Sequence, residues 1–304
     1  MNTLLYLPKR EIDPHTWCFL SGRVCALENN LLRRDSFERL LLLEGPVGAQ
    51  HAVPLLTSLK ESPLRDDFLT PEDVLNFEEI LQRRFFRLLQ EVKEFSPTLV
   101  VWELLQTRYD LINLKNFLKE RLSGLSRPTP FPSPYTDETW EALLSRGVLQ
   151  YAPTEQTEMY QMALNDLKGH LEKISENPGL VDLILDGAYL SSLPHLAERT
   201  ASQFIMNYHL EYQKLMGILF SWRASTKVSR GVVTPPLPGY EKTVEDTLME
   251  RLEAARLFVF GPERVFGYLK GLETETLNLR LAIGGRLQGI PPEDINRRLR
   301  KGYV

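Results

Sequence analysis

The run Gly261-Pro262-Glu263-Arg264-Val265-Phe266-Gly267-Tyr268-Leu269-Lys270-Gly271-Leu272-Glu273-Thr274-Glu275-Thr276-Leu277-Asn278-Leu279-Arg280, continuing to Arg286 and closing at Gly289-Ile290-Pro291-Pro292, decides the fold. Proline at the first helical position lacks only an amide that a helix leaves unbonded anyway, and Glu263 sits at the positive end of the helix dipole. Gly289 and the two prolines stop the pattern. Between these signals Val265, Leu269, Leu272, Thr276, Leu279 and Ile283 alternate four and three residues apart, which predicts one apolar stripe along one long helix. Midway along it lies a polar signature, Glu275-x-x-Asn278-Leu279-Arg280.

The signature recurs. Asp110-Leu111-Ile112-Asn113-Leu114-Lys115 repeats it, and Glu211-Tyr212-Gln213-Lys214-Leu215 is a weaker copy. Each has an acid, an amide or amine three residues on and then a leucine, and Arg121, Arg223 or Arg286 follows within two or three turns. Three diverged copies of one helical unit are expected, at unequal intervals, so the chain is no regular solenoid. Asp110, Glu211 and Glu275, with Asn113 and Asn278, are the candidate site residues. Two readings apply to the acids: each pairs with an arginine of a neighbouring helix and fixes its register, or the three turn toward a common axis and line a polar socket.

Helix signals continue along the chain. Asp13-Pro14 opens a helix over 14–33 with Trp17, Leu20, Val24, Leu27 and Leu31 on one side; a short helix through Phe37 and Leu40 ends at Gly45-Pro46, and an irregular stretch holds Pro54 and Pro63. Thr70-Pro71-Glu72-Asp73 starts another that runs to Ser96-Pro97, and Thr98 to Leu122 carries the first signature. Ser126-Arg127-Pro128-Thr129-Pro130-Phe131-Pro132-Ser133-Pro134 is a stiff extended connector. Beyond it a short helix near Trp140, a longer one from Tyr160 to Ile174 and one after Pro178 lead to Pro194, which begins the second signature helix. A second connector spans Val232 to Gly239, and helices over 243–257 and 291–300 flank the long one. No strand pattern stands out, so the fold class is all-α, divided as 1–127, 128–230 and 231–304.

Charge and composition exclude several classes of function. With 36 basic and 40 acidic residues the formal charge is -4, which gives no electrostatic footprint for nucleic acid. The opening Met1 to Pro8 is short and has Lys9 and Arg10 on the wrong side for a signal peptide. The most apolar window, Phe204 to Trp222, contains His209, Glu211 and Lys214 and is not expected to span a bilayer. Cys18 and Cys25 lie seven apart on one predicted helix, roughly 10 Å along its axis, too far to bridge, and read as buried small hydrophobes. No phosphate loop or nucleophile elbow is present. His195, Glu198 and His209 are the nearest approach to a metal set, and their spacing does not bring all three to one helix face, so no cofactor or metal is expected.

Taken together, Arg23 to Leu32, Asp110 to Lys115, Phe260-Gly261-Pro262 through Leu269, Glu273 to Arg280, Gly289-Ile290-Pro291 and the Tyr303-Val304 ending resemble the C subunit of V/A-type rotary ATPases, counterpart of the eukaryotic d subunit. The resemblance is strongest over the last 45 residues; the middle copy departs most, with Lys214 in the place of asparagine. It implies a funnel of three helical subdomains in pseudo-threefold arrangement, peripheral at the cytoplasmic face of the membrane. It also implies no chemistry: the subunit links the proteolipid ring, turned by H⁺ or Na⁺, to the shaft subunits D and F. An all-helical scaffold of an unrelated complex is the alternative.

Overall fold

The computed structural model describes residues 13–43, 48–147, 149, 152–228 and 239–304, and among these the regular structure is all helix, with no strand. Gly45-Pro46 and all of the second connector but Gly239 lie outside the described residues. The chain forms two compact units, one of residues 13–98 with 242–304, here the terminal unit, and a central unit of 99–241. Parts of the first and third segments read in the sequence thus share one unit.

In the terminal unit a 3-10 turn, Pro14–Trp17, capped by Asp13, leads into α1 (Cys18–Glu28), which is shorter than the predicted 14–33. The buried face of α1 is Leu20, Ser21, Val24 and Glu28. Cys25 follows Val24 by one residue, a turn of about 100°, and is exposed, while Cys18 is half-buried, so neither is the fully buried hydrophobe expected. Next come α2 (Arg34–Leu42) and α3 (Ala52–Lys60). The helix α3 occupies the stretch expected to be irregular, because Pro54 is its third residue and lacks only an amide from the unbonded first turn. Thr70 and Asp73 close a capping box at the start of α4 (Pro71–Leu75), and Asn76 separates it from α5 (Phe77–Phe95), two helices where one was predicted.

The central unit begins with α6 (Val100–Ser123), stopped by Gly124 at φ 67°, a left-handed conformation that favours glycine. Residues 124–136 are non-helical, as the prolines require. After α7 (Asp137–Arg146), α8 (Thr154–Lys168) and α9 (Leu171–Glu176) share the span predicted as one helix. A second difference is larger: α10 (Gly179–Glu198) runs straight through Pro194, and α11 begins only at Gln203, extending to Val228. Proline at 194 frees the carbonyl of Leu190, four residues back, and the Gln213 side-chain amide of α11 donates to that oxygen at 2.9 Å. The helix interruption falls instead at Arg199 to Ser202, where the Ser202 hydroxyl accepts from the amide of Ile205.

After α12 (Tyr240–Leu252) and a 3-10 turn, the terminal unit is completed by α13 (Pro262–Leu287) and α14 (Pro292–Arg298). The predicted stripe of α13 is fully buried, but so are Phe266, Tyr268 and Ala282, so the helix runs through the unit rather than over its surface. Leu279, Ala282 and Ile283 share a core with Leu55, Leu59, Leu64 and Phe68. Against another face lies the tail: a Cβ on Gly267 or Gly271 would come within 2.6 Å of Ala255 or Tyr303 respectively.

That contact makes Gly271→Ala an overpacking change. Its urea unfolding free energy, followed by far-UV circular dichroism, should fall by about 1–3 kcal/mol. Gly217→Ala in α11, where nothing lies within 4 Å, should instead gain about 0.5–1 kcal/mol from helix propensity.

Candidate functional site

Glu275 lies in the interior of the terminal unit, 4 % exposed. Its Oε1 accepts the backbone amide of Leu32 at 2.6 Å, just beyond α1, and its Oε2 accepts from the Arg84 guanidinium of α5 at 2.6 Å. Arg84 also approaches Asp67 at 3.4 Å, and Asp67 accepts from Arg87 at 3.0 Å. Burial alone would lower the Arg84 pKa, but the adjoining Glu275 outweighs it and the guanidinium is held above its ordinary value. One carboxylate thus fixes α13, α5 and the turn after α1 in a single register.

Three residues on, Asn278 does something different. Its side-chain amide donates to the carbonyl of Arg300 at 2.9 Å and accepts the Arg300 backbone amide at 2.8 Å. This reciprocal pair grips an extended stretch of tail that has no helix or sheet to satisfy its backbone. The tail is further held by Asp246, which accepts the Lys301 amide at 2.7 Å, and by Tyr303, whose hydroxyl donates to Glu28 at 3.3 Å. Burial pushes the Tyr303 phenol well up, so it stays a donor. Glu28 also accepts from Arg264 at 2.6 Å.

The central unit repeats the arrangement at the first signature. Asn113 donates to the carbonyl of Phe131 at 2.9 Å and accepts the Phe131 amide at 2.9 Å, gripping the proline-rich connector as Asn278 grips the tail. Asp110, 1 % exposed, accepts from Ser133 at 2.6 Å and from Gln106 at 2.9 Å, both at Oδ1. Leu114 and Leu279, the leucines of the two copies, are both fully buried. The final base of each copy reaches a neighbouring helix: Lys115 pairs with Asp186 of α10, and Arg280 with Glu78 of α5 at 2.7 Å. The signature is therefore one device used twice: an acid and an amide that hold a non-helical segment, a core leucine, and a base that ties the next helix.

The two copies differ in charge. Glu275 has Arg84; Asp110 has only neutral donors, and burial pushes its carboxyl up to about 6 against the opposing pull of Ser133, Gln106 and Gln156.

The middle copy is laid out differently. Glu211 is half-buried on α11, Lys214 is exposed, and Leu215 is only half-buried. Asp110 and Glu275 each end inside their own unit, on partners of that unit. Of the weak metal candidates, His195 and Glu198 are exposed, whereas His209 is buried with its Nδ1 2.8 Å from the Ile205 carbonyl oxygen; no group of ligating side chains that could hold a metal ion occurs among the described residues.

The partners of these residues were not foreseen from the sequence. Arg84 carried one signal, since it stands between Ile80 and Leu88 at steps of four on the buried face of α5, where a charge needs a counterion. Phe131 and Ser133 are the residues that alternate with prolines in the connector, and nothing in that spacing points to α6.

Buried polar braces join the segments of this all-helical chain. The comparisons give it a family. Residues 20–214 match the family described as ATP synthase (C/AC39) subunit, and the chain belongs to that family, as a subunit of a V/A-type ATPase. The match ends before α13, the stretch in which the sequence resemblance is strongest. No curated protein matches the chain.

Replacing Arg84 by methionine would leave Glu275 buried without its cation, and unfolding free energy should drop by about 3–5 kcal/mol. Combining Arg84→Met with Glu275→Leu should restore most of this in the same urea titration. A remainder of about 1–3 kcal/mol is expected from the Leu32 amide left without its acceptor.

Proposed function

We propose that this chain is the non-catalytic coupling subunit of its ATPase, joining the proteolipid ring of the membrane sector to the shaft subunits D and F at the cytoplasmic face. Family membership over residues 20–214 is the observation that carries the reading. No helix among the described residues is long and apolar enough to cross a membrane, so attachment is assigned to other subunits. The three-segment division and the role of the repeated signature in coupling belong to the same proposal.

Asp110, Asn113, Glu275 and Asn278 serve this role from inside, by holding the connector and the tail so that torque deforms neither unit. Direct contact with partners is left to exposed surface. Leu257, Phe258, Val259 and Phe260 form an apolar knuckle before α13, with Leu257 82 % and Val259 67 % exposed. Four consecutive exposed apolar residues mark an interface, and the occupant assigned to them is the ring, the most apolar of the proposed partners. Their footing is firm, because the amide of Gly261 is held by the Ser21 hydroxyl at 3.2 Å.

Affinity capture of the tagged chain from detergent-solubilised host membranes, with mass spectrometry of every co-purifying protein, tests the proposal. Ring, shaft and nucleotide-binding subunits should be recovered. The double variant Leu257→Asp/Val259→Asp should lose the ring protein while keeping the parent's unfolding midpoint. Capture of none of these, from membranes shown to contain the ATPase, would move the unrelated-scaffold reading to first place.

A further inference from the structure

Asp110 is a buried acid that has no counterion among the described residues and holds a segment of extended chain. Ser133 and Gln106 both donate to Oδ1, and Gln156 of α8 hydrogen-bonds the same carboxyl. From the connector Tyr135 faces it, its hydroxyl donating to Gln156 Oε1 at 3.2 Å, and from α8 Tyr160 lies 3.4 Å from Gln156 Nε2. Tyr189 of α10 adds a further neutral phenol to the cluster. The nearest charged groups are engaged with one another and leave one negative charge over: Arg199, at the end of α10, pairs with both Glu103 of α6 at 2.8 Å and Glu155 of α8 at 3.5 Å. Asp110 is thus enclosed by hydroxyls and amides.

We propose that Asp110 is a proton-operated latch, in which uptake of one proton from solvent tightens the 131–135 segment against α6 and α8 and its loss loosens that segment. The bonds from Ser133 and Gln106 both fall on Oδ1, so a proton on Oδ2 leaves the two of them in place. In the neutral form these bonds persist and the unpaired buried charge is gone. In the ionised form the same bonds must hold a desolvated carboxylate, and opening of the connector lets water reach it. The equivalent position in the terminal unit has the opposite construction, since the Arg84 guanidinium already neutralises Glu275. The latch is specific to the central unit.

The sign follows from burial. A carboxyl titrating near 6 when folded and near 4 when open takes up a proton on closing, so the extra stability is complete below pH ~4 and is lost as the pH rises through 6. Amide hydrogen exchange of the full chain at pH 5 and pH 7, corrected for intrinsic rates, reads the opening directly. The amide of Phe131, held by Asn113, and that of Tyr135, held by the Ser133 hydroxyl at 3.1 Å, should lose roughly tenfold protection between pH 5 and 7. The Arg300 amide, held by Asn278, should not show this step, and Asp110→Asn should abolish it at Phe131 and Tyr135.

Should Asp110→Asn fail to fold, the side-chain carboxyl carbon of Asp110 can be titrated by NMR in the unaltered protein. A midpoint near 6 supports the latch. A midpoint at or below the ordinary aspartate value, equal protection of Phe131 at the two pH values, or a step that survives in Asp110→Asn overturns it.

Discussion

The buried pair of Arg84 and Glu275 is the constraint on which the terminal unit depends. Placing two charges in an apolar interior is unfavourable by several kcal/mol per ion before their attraction is counted, and an apolar pair of similar volume often does as well or better. The pair is therefore poorly explained as a source of stability. Its value is geometric: the carboxylate has two oxygens, one taken by Arg84 and the other by the Leu32 amide, so α13 cannot slide by a turn without stranding both. Asp67 and Arg87 extend the same constraint to the segment before α4. A helix of 26 residues, with buried apolar side chains on more than one face, has many nearly equivalent ways to pack, and this pair selects one.

The central unit solves a related problem with less charge. A proline-rich strand of chain offers carbonyls that no helix can satisfy and few amides to offer in return. Asn113 supplies a donor and an acceptor at one point, imitating a sheet neighbour for the single residue Phe131. Asn278 does the same for Arg300, so the two repeated asparagines perform the same backbone task. Register against the next helix is then set by basic side chains at the surface of the contact: Lys115 and Lys119 of α6 pair with Asp186 and Asp182 of α10, one helical turn apart on each helix.

Much of this could be read from the residues. The helices bounded by strong signals, such as Gly261-Pro262-Glu263 or Thr70-Pro71 with Asp73, lie where those signals place them, and the extended connector follows from its prolines. Errors came where a local rule was overridden from afar. Pro194 ends no helix because Gln213 satisfies the carbonyl it releases, and no window of sequence around Pro194 contains Gln213. Pro54, in a stretch expected to be irregular, is harmless in the first turn of a helix. The signature acids were legible as special; their partners, Arg84, Leu32 and Ser133, were not, because pairing across long stretches of chain leaves no periodic trace. The copy at Glu211 shows the converse, a sequence likeness whose environment on α11 is not the buried one of the other two.

The exchange between Pro194 and Gln213 also has a history. Proline at 194 is tolerable only in a chain that already places an amide donor opposite Leu190, and the glutamine, once the proline is present, can no longer drift to an apolar residue without exposing that carbonyl to loss. Order of substitution therefore matters: glutamine first is a neutral step, proline first is a damaging one. The dependence runs one way, as in a ratchet: the proline makes the glutamine hard to lose, so a chain with proline at 194 should carry the glutamine, whereas the glutamine can stand without the proline.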